Sequence, residues 1–174
     1  MAAPGDTYTL PGGATFVIRT SADATGGERV ELEIKLPPGA QGPPPHFHPR
    51  QEEQWQVLAG TLAVQVDGNW RDLREGDSAT VPAGQVHTLR NRTNETVRVL
   101  DVHIPALDFQ DYMLDLHRLN QEGKVTSLRS PRSLVYLATV LREHRTTQLT
   151  ASRPQRIAES ALAGVGKLLG VRVR

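Results

Sequence analysis

Four side chains in the first half of this 174-residue chain have the types and spacing of a metal shell: His46, His48, Glu53 and His87. His46-Phe47-His48 is a His-x-His pair. In an extended strand residues i and i+2 point to one face, so both imidazoles can reach a single ion. Glu53 follows five residues after His48, beyond Pro49 and the polar Arg50-Gln51, which suggest a turn that brings the chain back. His87 lies 34 residues further on and joins the group only if the strands wrap around a common centre. Neutral imidazole with carboxylate suits one divalent transition metal such as Fe, Mn, Ni or Zn. By spacing alone, two surface histidines in a proline-rich loop would read the same way. The chain has no cysteine, which excludes disulfides, sulfur metal shells and a thiol nucleophile.

The elements that must position these residues read as short strands. Val30, Leu32, Ile34 and Leu36 alternate with Glu31, Glu33 and Lys35, the pattern of a strand with one apolar face. Ala14–Arg19, Val57–Val66 around Gly60, and Val97–Ile104 are further β-rich runs. Glycine and proline punctuate them, and Asp67-Gly68 between two runs predicts a tight hairpin. Many short strands at even spacing predict a sandwich or small barrel.

After Pro105 the period becomes helical. Phe109, Tyr112, Met113, Leu116 and Leu119 share a face, with Asp111, Asp115 and Arg118 opposite. Ser130-Pro131 reads as a cap and first turn, followed by a stripe of Leu134, Leu137, Ala138 and Leu141. A third helix is predicted from Arg153-Pro154 to Gly170, with Ile157, Ala161, Leu162, Val165 and Leu169 as its buried stripe. The expected organisation is therefore a β-barrel over residues 1–105 and a helical extension over 106–174, packed on its outside. The net charge of +1 hides a split: −4 over residues 1–105 and +5 over 106–174. Opposed charges of this kind can attract within the chain or across a homodimer, the expected assembly. The basic residues of the tail are scattered, without a recognition-helix cluster, so no nucleic-acid partner is expected. Met1–Asp6 lacks a signal-peptide pattern and no apolar run is long enough to span a membrane, so the expectation is a soluble cytoplasmic protein.

Two segments carry a resemblance. The first runs from Gly39 through His46-x-His48 and Glu53 to Gly60; the second from Gly76 through Pro82-x-Gly84 and His87 to Asn91. Together they resemble the paired motifs of the cupin superfamily, with fifteen residues between Gly60 and Gly76, as in its compact bacterial members. The one departure is the leading glycine, which comes a residue early and leaves Ala40 in its place. The resemblance implies a mainly β fold, an antiparallel jelly-roll barrel, with C-terminal α-helices outside the motifs. It also implies that His46, His48, Glu53 and His87 are the metal ligands. Glu53 is preferred to Glu52 because its distance to Gly60 fits the motif and it shares strand phase with Trp55 and Val57. Gly60, Gly76, Pro82, Gly84 and Asn91 would be structural.

A four-ligand octahedral ion keeps up to two positions for water, O₂ or a substrate. Trp55, Val57, Leu89, Phe47, Phe16 and Leu62 would give it an apolar setting, suited to a small apolar or aromatic molecule. The favoured function is dioxygenase-type oxidation; the alternatives are a non-catalytic binding or sensing module and a metal-dependent cyclase or isomerase. No catalytic residue is assigned. Trp55 is read as core filling, His103 as a partly exposed strand histidine or a partner to the site, and His117 and His144 as solvated.

Overall fold

A computed structural model describes residues 6–126 and 130–173; the expectation for Met1–Asp6 therefore falls, for residues 1–5, outside the described residues. The strands are β1 (Thr7–Thr9), β2 (Thr15–Thr20), β3 (Val30–Leu36), β4 (His46–Phe47), β5 (Glu52–Ala59), β6 (Thr61–Val66), β7 (Asn69–Arg74), β8 (Ser78–Val81), β9 (His87–Arg90), β10 (Val97–Ile104) and β11 (Leu149–Thr150). One sheet has the order β1-β2-β3-β10-β5-β8 and the other β11-β4-β9-β6-β7. Every pairing is antiparallel, and the two sheets enclose a single apolar core that includes Phe16, Leu32, Trp55, Leu62 and Val99. The fold is mainly β with C-terminal helices, as expected.

Local sequence explains the corners. Asp67 and Gly68 both have positive φ, 47° and 84°, and join β6 to β7 as a two-residue hairpin closed by Val66 opposite Asn69. Gly42 is required by proximity: a Cβ there would lie 2.3 Å from the Leu89 carbonyl oxygen, which accepts the Gly42 N–H. This contact ties the loop before β4 to β9. The alternation in β3 holds for its apolar residues, all buried, but Glu33 on the opposite face is also buried, paired with Arg19 and Arg98.

The helices are α1 (Phe109–Gln121), α2 (Pro131–Glu143) and α3 (Arg153–Leu168). α1 buries Phe109, Tyr112, Met113 and Leu119 as expected, and Asp115 with them. The other two stripes are corrected by the structure, the first only in part. In α2 Leu137, Ala138 and Leu141 pack inward as expected but Leu134 is exposed, and the buried residues are Ser133, Ala138, Thr139 and Val140. In α3 they are Ala163 and Gly166, while Ile157, Val165, Leu168 and Leu169 face outward. The cause is a close helix–helix approach through small residues: a Cβ on Gly166 would stand 2.7 Å from Thr139 Oγ1. The large side chains of α3 cannot enter so narrow a contact. The segment after α2 also does more than pack outside, because β11 adds to the edge of a barrel sheet, pairing with β4.

Candidate metal centre

β4 and β9 run side by side with His46 opposite His87. His48 follows at the end of β4, and β5, from the other sheet, brings Glu53 across. All four side chains are buried, with at most 5% of any residue exposed. One donor atom from each lies within 4.8 Å of all the others. The structure thus brings the four sequence-selected residues together.

Their orientation is set by the backbone. The Nδ1–H groups donate to carbonyl oxygens: His46 to Pro44 at 3.0 Å, His48 to Thr147 at 2.6 Å and His87 to Gln85 at 2.8 Å. A ring nitrogen that donates fixes the tautomer, and the Nε2 atoms are left as lone pairs. Glu53 Oε2 lies 2.7 Å from His87 Nε2 and 3.2 Å from His48 Nε2. These three atoms are buried without a satisfied hydrogen bond. Lone pairs facing a carboxylate oxygen repel unless a cation sits among them, so the residues present fit a metal ion.

Without an ion, a proton takes that role. Burial pulls the His87 ring down, but its contact with Glu53 and the charge of Glu53 outweigh this, and its pKa is raised. Burial pushes Glu53 up, yet His48 and His87 hold it well below the carboxylate range. His46, one strand away, is driven down to about 3 by burial, reinforced by the charges of His87 and His48. Burial likewise lowers His48.

The structure shows a second layer of contacts that the sequence reading lacked. Trp55 is buried, and its indole N–H donates to Glu53 Oε1 at 2.6 Å, so it orients the carboxylate as well as filling the core. His103 is not partly exposed: it is wholly buried, stacked on Phe109 with ring centroids 3.4 Å apart. Its Nε2 lies 3.3 Å from Asp101 Oδ2 and 3.8 Å from Glu53 Oε1. Burial, with the charge of Glu53, raises the Asp101 carboxyl to about 6 against the pull of His103. The alternation of β10 could have placed Asp101 and His103 on one inward face beside Glu53; their polarity hid it. Asn91, by contrast, is structural as expected, its amide bonded to the Leu36, Pro37 and Glu95 carbonyls.

The tail reaches the site too. Thr147, whose carbonyl holds His48, donates its hydroxyl to Asp108 at 2.7 Å. Asp108 in turn receives His144 Nδ1 at 2.7 Å, and His144 Nε2 contacts Asp115 at 2.9 Å. His144 is therefore buried between two carboxylates, not solvated; among its neighbours Asp115 also pairs with Arg118. His117, half-buried, accepts the Thr9 N–H at 2.9 Å and links α1 to β1.

The family model described as Cupin domain matches residues 32–103, the span from β3 to β10 that holds all four residues. Over residues 32–103 the barrel is a cupin domain. KdgF from Halomonas sp. has a similar fold, with a TM-score of 0.53, 24% identity, and coverage of 60% of this chain and 92% of that one. In sequence the cupin resembles a probable oxidoreductase of Aspergillus clavatus, patJ, at 36% identity over 90 residues. That match covers 51% of this chain and 28% of the fungal protein, so the chain spans under a third of that relative. It is also 33% identical over 89 residues to the tetracenomycin polyketide synthase protein TcmJ of Streptomyces glaucescens, covering 51% of this chain and 59% of that protein. Among the described residues, no helix of the chain is long and apolar enough to cross a membrane.

Proposed function

We propose that His46, His48, Glu53 and His87 hold one divalent transition metal, and that the cupin oxidises a small apolar or aromatic molecule in a dioxygenase-type reaction. The observation that carries the metal reading is the set of three tethered imidazoles and Glu53 with one donor atom of each within 4.8 Å of the others, the Nε2 atoms of His48 and His87 facing Glu53 Oε2. A bound ion would supply Lewis acidity and, if Fe or Mn, redox chemistry toward O₂. The likeness to a fungal protein named as a probable oxidoreductase supports the redox choice. The chain's own residues set the surroundings: the rings of Phe109 and Trp55 pack on the imidazoles and keep them apolar and dry, which strengthens the electrostatics inside. Trp55 holds the distal oxygen of Glu53 by its indole N–H, and His103 Nε2 stands 3.8 Å from the same oxygen. A proton at His103 Nε2 would face Asp101 Oδ2, 3.3 Å away, beside the Glu53 carboxylate. The proposal includes a homodimer, supported by the uncovered apolar side chains of α3.

Elemental analysis tests the metal. Wild-type chain is expected to carry one ion, and His48→Ala and His87→Ala to lose it; equal, negligible metal in all three refutes the reading. Oxygen uptake with Fe or Mn bound supports oxidation, whereas turnover in anaerobic buffer with Zn or Ni bound would replace it with cyclase or isomerase chemistry.

A further inference from the structure

The basic character of the tail finds no use in the metal centre, and its distribution in space is uneven. A cavity of about 300 Å³ lies between α2, α3 and β11, and none of the four proposed ligands lines it. Three guanidinium groups line it, those of Arg142, Arg145 and Arg156, and none of them forms an ion pair among the described residues. The single carboxylate of the lining, Glu159, is engaged by the Thr150 hydroxyl at 2.8 Å. Arg156 is anchored: one of its terminal nitrogens donates to the Thr150 and Ala151 carbonyls, and its guanidinium lies near the Phe47 ring. The other two arginines are exposed and reach in from the end of α2 and the loop after it. The floor is apolar, made by Ala138, Leu141 and Leu149.

We infer that this cleft binds a small organic anion, a carboxylate or a phosphate ester, through its three arginines. Three like charges around one hollow repel, and an anion between them relieves that repulsion. The planar fork of arginine matches carboxylate and phosphate oxygens with two parallel hydrogen bonds. An apolar floor favours a ligand with a carbon body over a bare inorganic ion, and the volume sits at the small end of ligand sites. The position also matters: β11, which forms one wall, pairs directly with the strand that carries His46. The inference is independent of the metal reading, because none of the lining residues is one of the four ligands.

Titration calorimetry of the full chain at low ionic strength, with benzoate and inorganic phosphate as separate probes, tests it. Saturable one-to-one binding of at least one probe is expected, weakening as salt rises. Benzoate alone marks a carboxylate site, phosphate alone a phosphate site, and both a simple anion site. Arg142 and Arg145 are exposed, so the double variant Arg142→Gln, Arg145→Gln should fold and should lower affinity by about tenfold or more. The pair Arg71→Gln, Arg74→Gln, on the exposed strand β7, should leave it unchanged. Absence of saturable binding for both probes, or equal binding by the Arg142/Arg145 variant, overturns the inference.

Discussion

Trp55→Phe separates the two roles of the indole. The substitution keeps an aromatic ring on the same face of β5 but removes the N–H that donates to Glu53 Oε1 at 2.6 Å. His103 Nε2, at 3.8 Å from that oxygen, is too far to replace the lost hydrogen bond. A hydrogen bond to a charged acceptor contributes about 1.5–3 kcal/mol. Part of that is lost from the ion-free fold, together with a packing cost for the smaller ring. The rest appears in metal binding, because Glu53 is no longer held with Oε2 toward His48 and His87. Changes in contacts that orient a ligand typically weaken metal affinity ~10–100-fold, and that range is the expected result. The assay is competition against a fluorescent chelator, with urea unfolding of the ion-free chain run alongside. Val57→Ala is the control: it is equally buried on the same strand, has no polar group to orient Glu53, and should cost about 2 kcal/mol of stability without changing affinity. A folded Trp55→Phe chain with affinity within about twofold of wild type would refute the orienting role.

Three further outcomes follow from the same contacts. Metal must displace the extra proton of His87, whose pKa is raised, so affinity should fall about tenfold per pH unit below that raised pKa; a flat profile from about pH 8 to 5 would contradict this. In the ion-free chain the lowered pKa of His46 acts on stability. The unfolded chain takes up a proton below about pH 6.5 that the folded His46 refuses until about pH 3, so this residue contributes a loss of about 1.4 kcal/mol per pH unit across that window. The raised His87 works in the opposite sense, and His46→Phe should flatten the acid limb of a urea-midpoint-against-pH curve. His144→Ala strips Asp108 and Asp115 of their shared partner; since Asp115 keeps Arg118, a loss of ~2–4 kcal/mol is expected by urea unfolding. Gly42→Ala drives a Cβ against the Leu89 carbonyl and should cost ~1–3 kcal/mol, read as a thermal shift.

What could be read beforehand depended on how local the signal was. The strands of β3, β6 and β10 and the Asp67-Gly68 hairpin are written in neighbouring residues, and so is the His-x-His pair of β4. Glu53 and His87 needed the motif spacing as well, because their place beside β4 depends on sheet order. Asp101 and His103 were within reach of the period-two rule, yet a buried acid and a buried histidine contradict the usual burial of apolar residues. The partners of His48 and His144 were not readable. Thr147 meets His48 across 99 residues, and no periodicity records a contact at that separation. α3 misled in the opposite direction: its large apolar residues mark the exposed side, because Ala163 and Gly166 decide the packing.

The strand that carries His46 is two residues long and is flanked by β9 on one side and β11 on the other. Its second neighbour is synthesised late: 60 residues separate His87, the last of the four proposed ligands, from Thr147, which tethers His48. At ~5–20 residues per second, translation takes roughly 3–12 s to cover that gap. β10, which joins β3 to the strand of Glu53, is made early in this interval; from then until β11 pairs with β4, the sheet edge beside His46 is open. An ion held by these four side chains, as proposed, would have a route to them across that edge before β11 covers it.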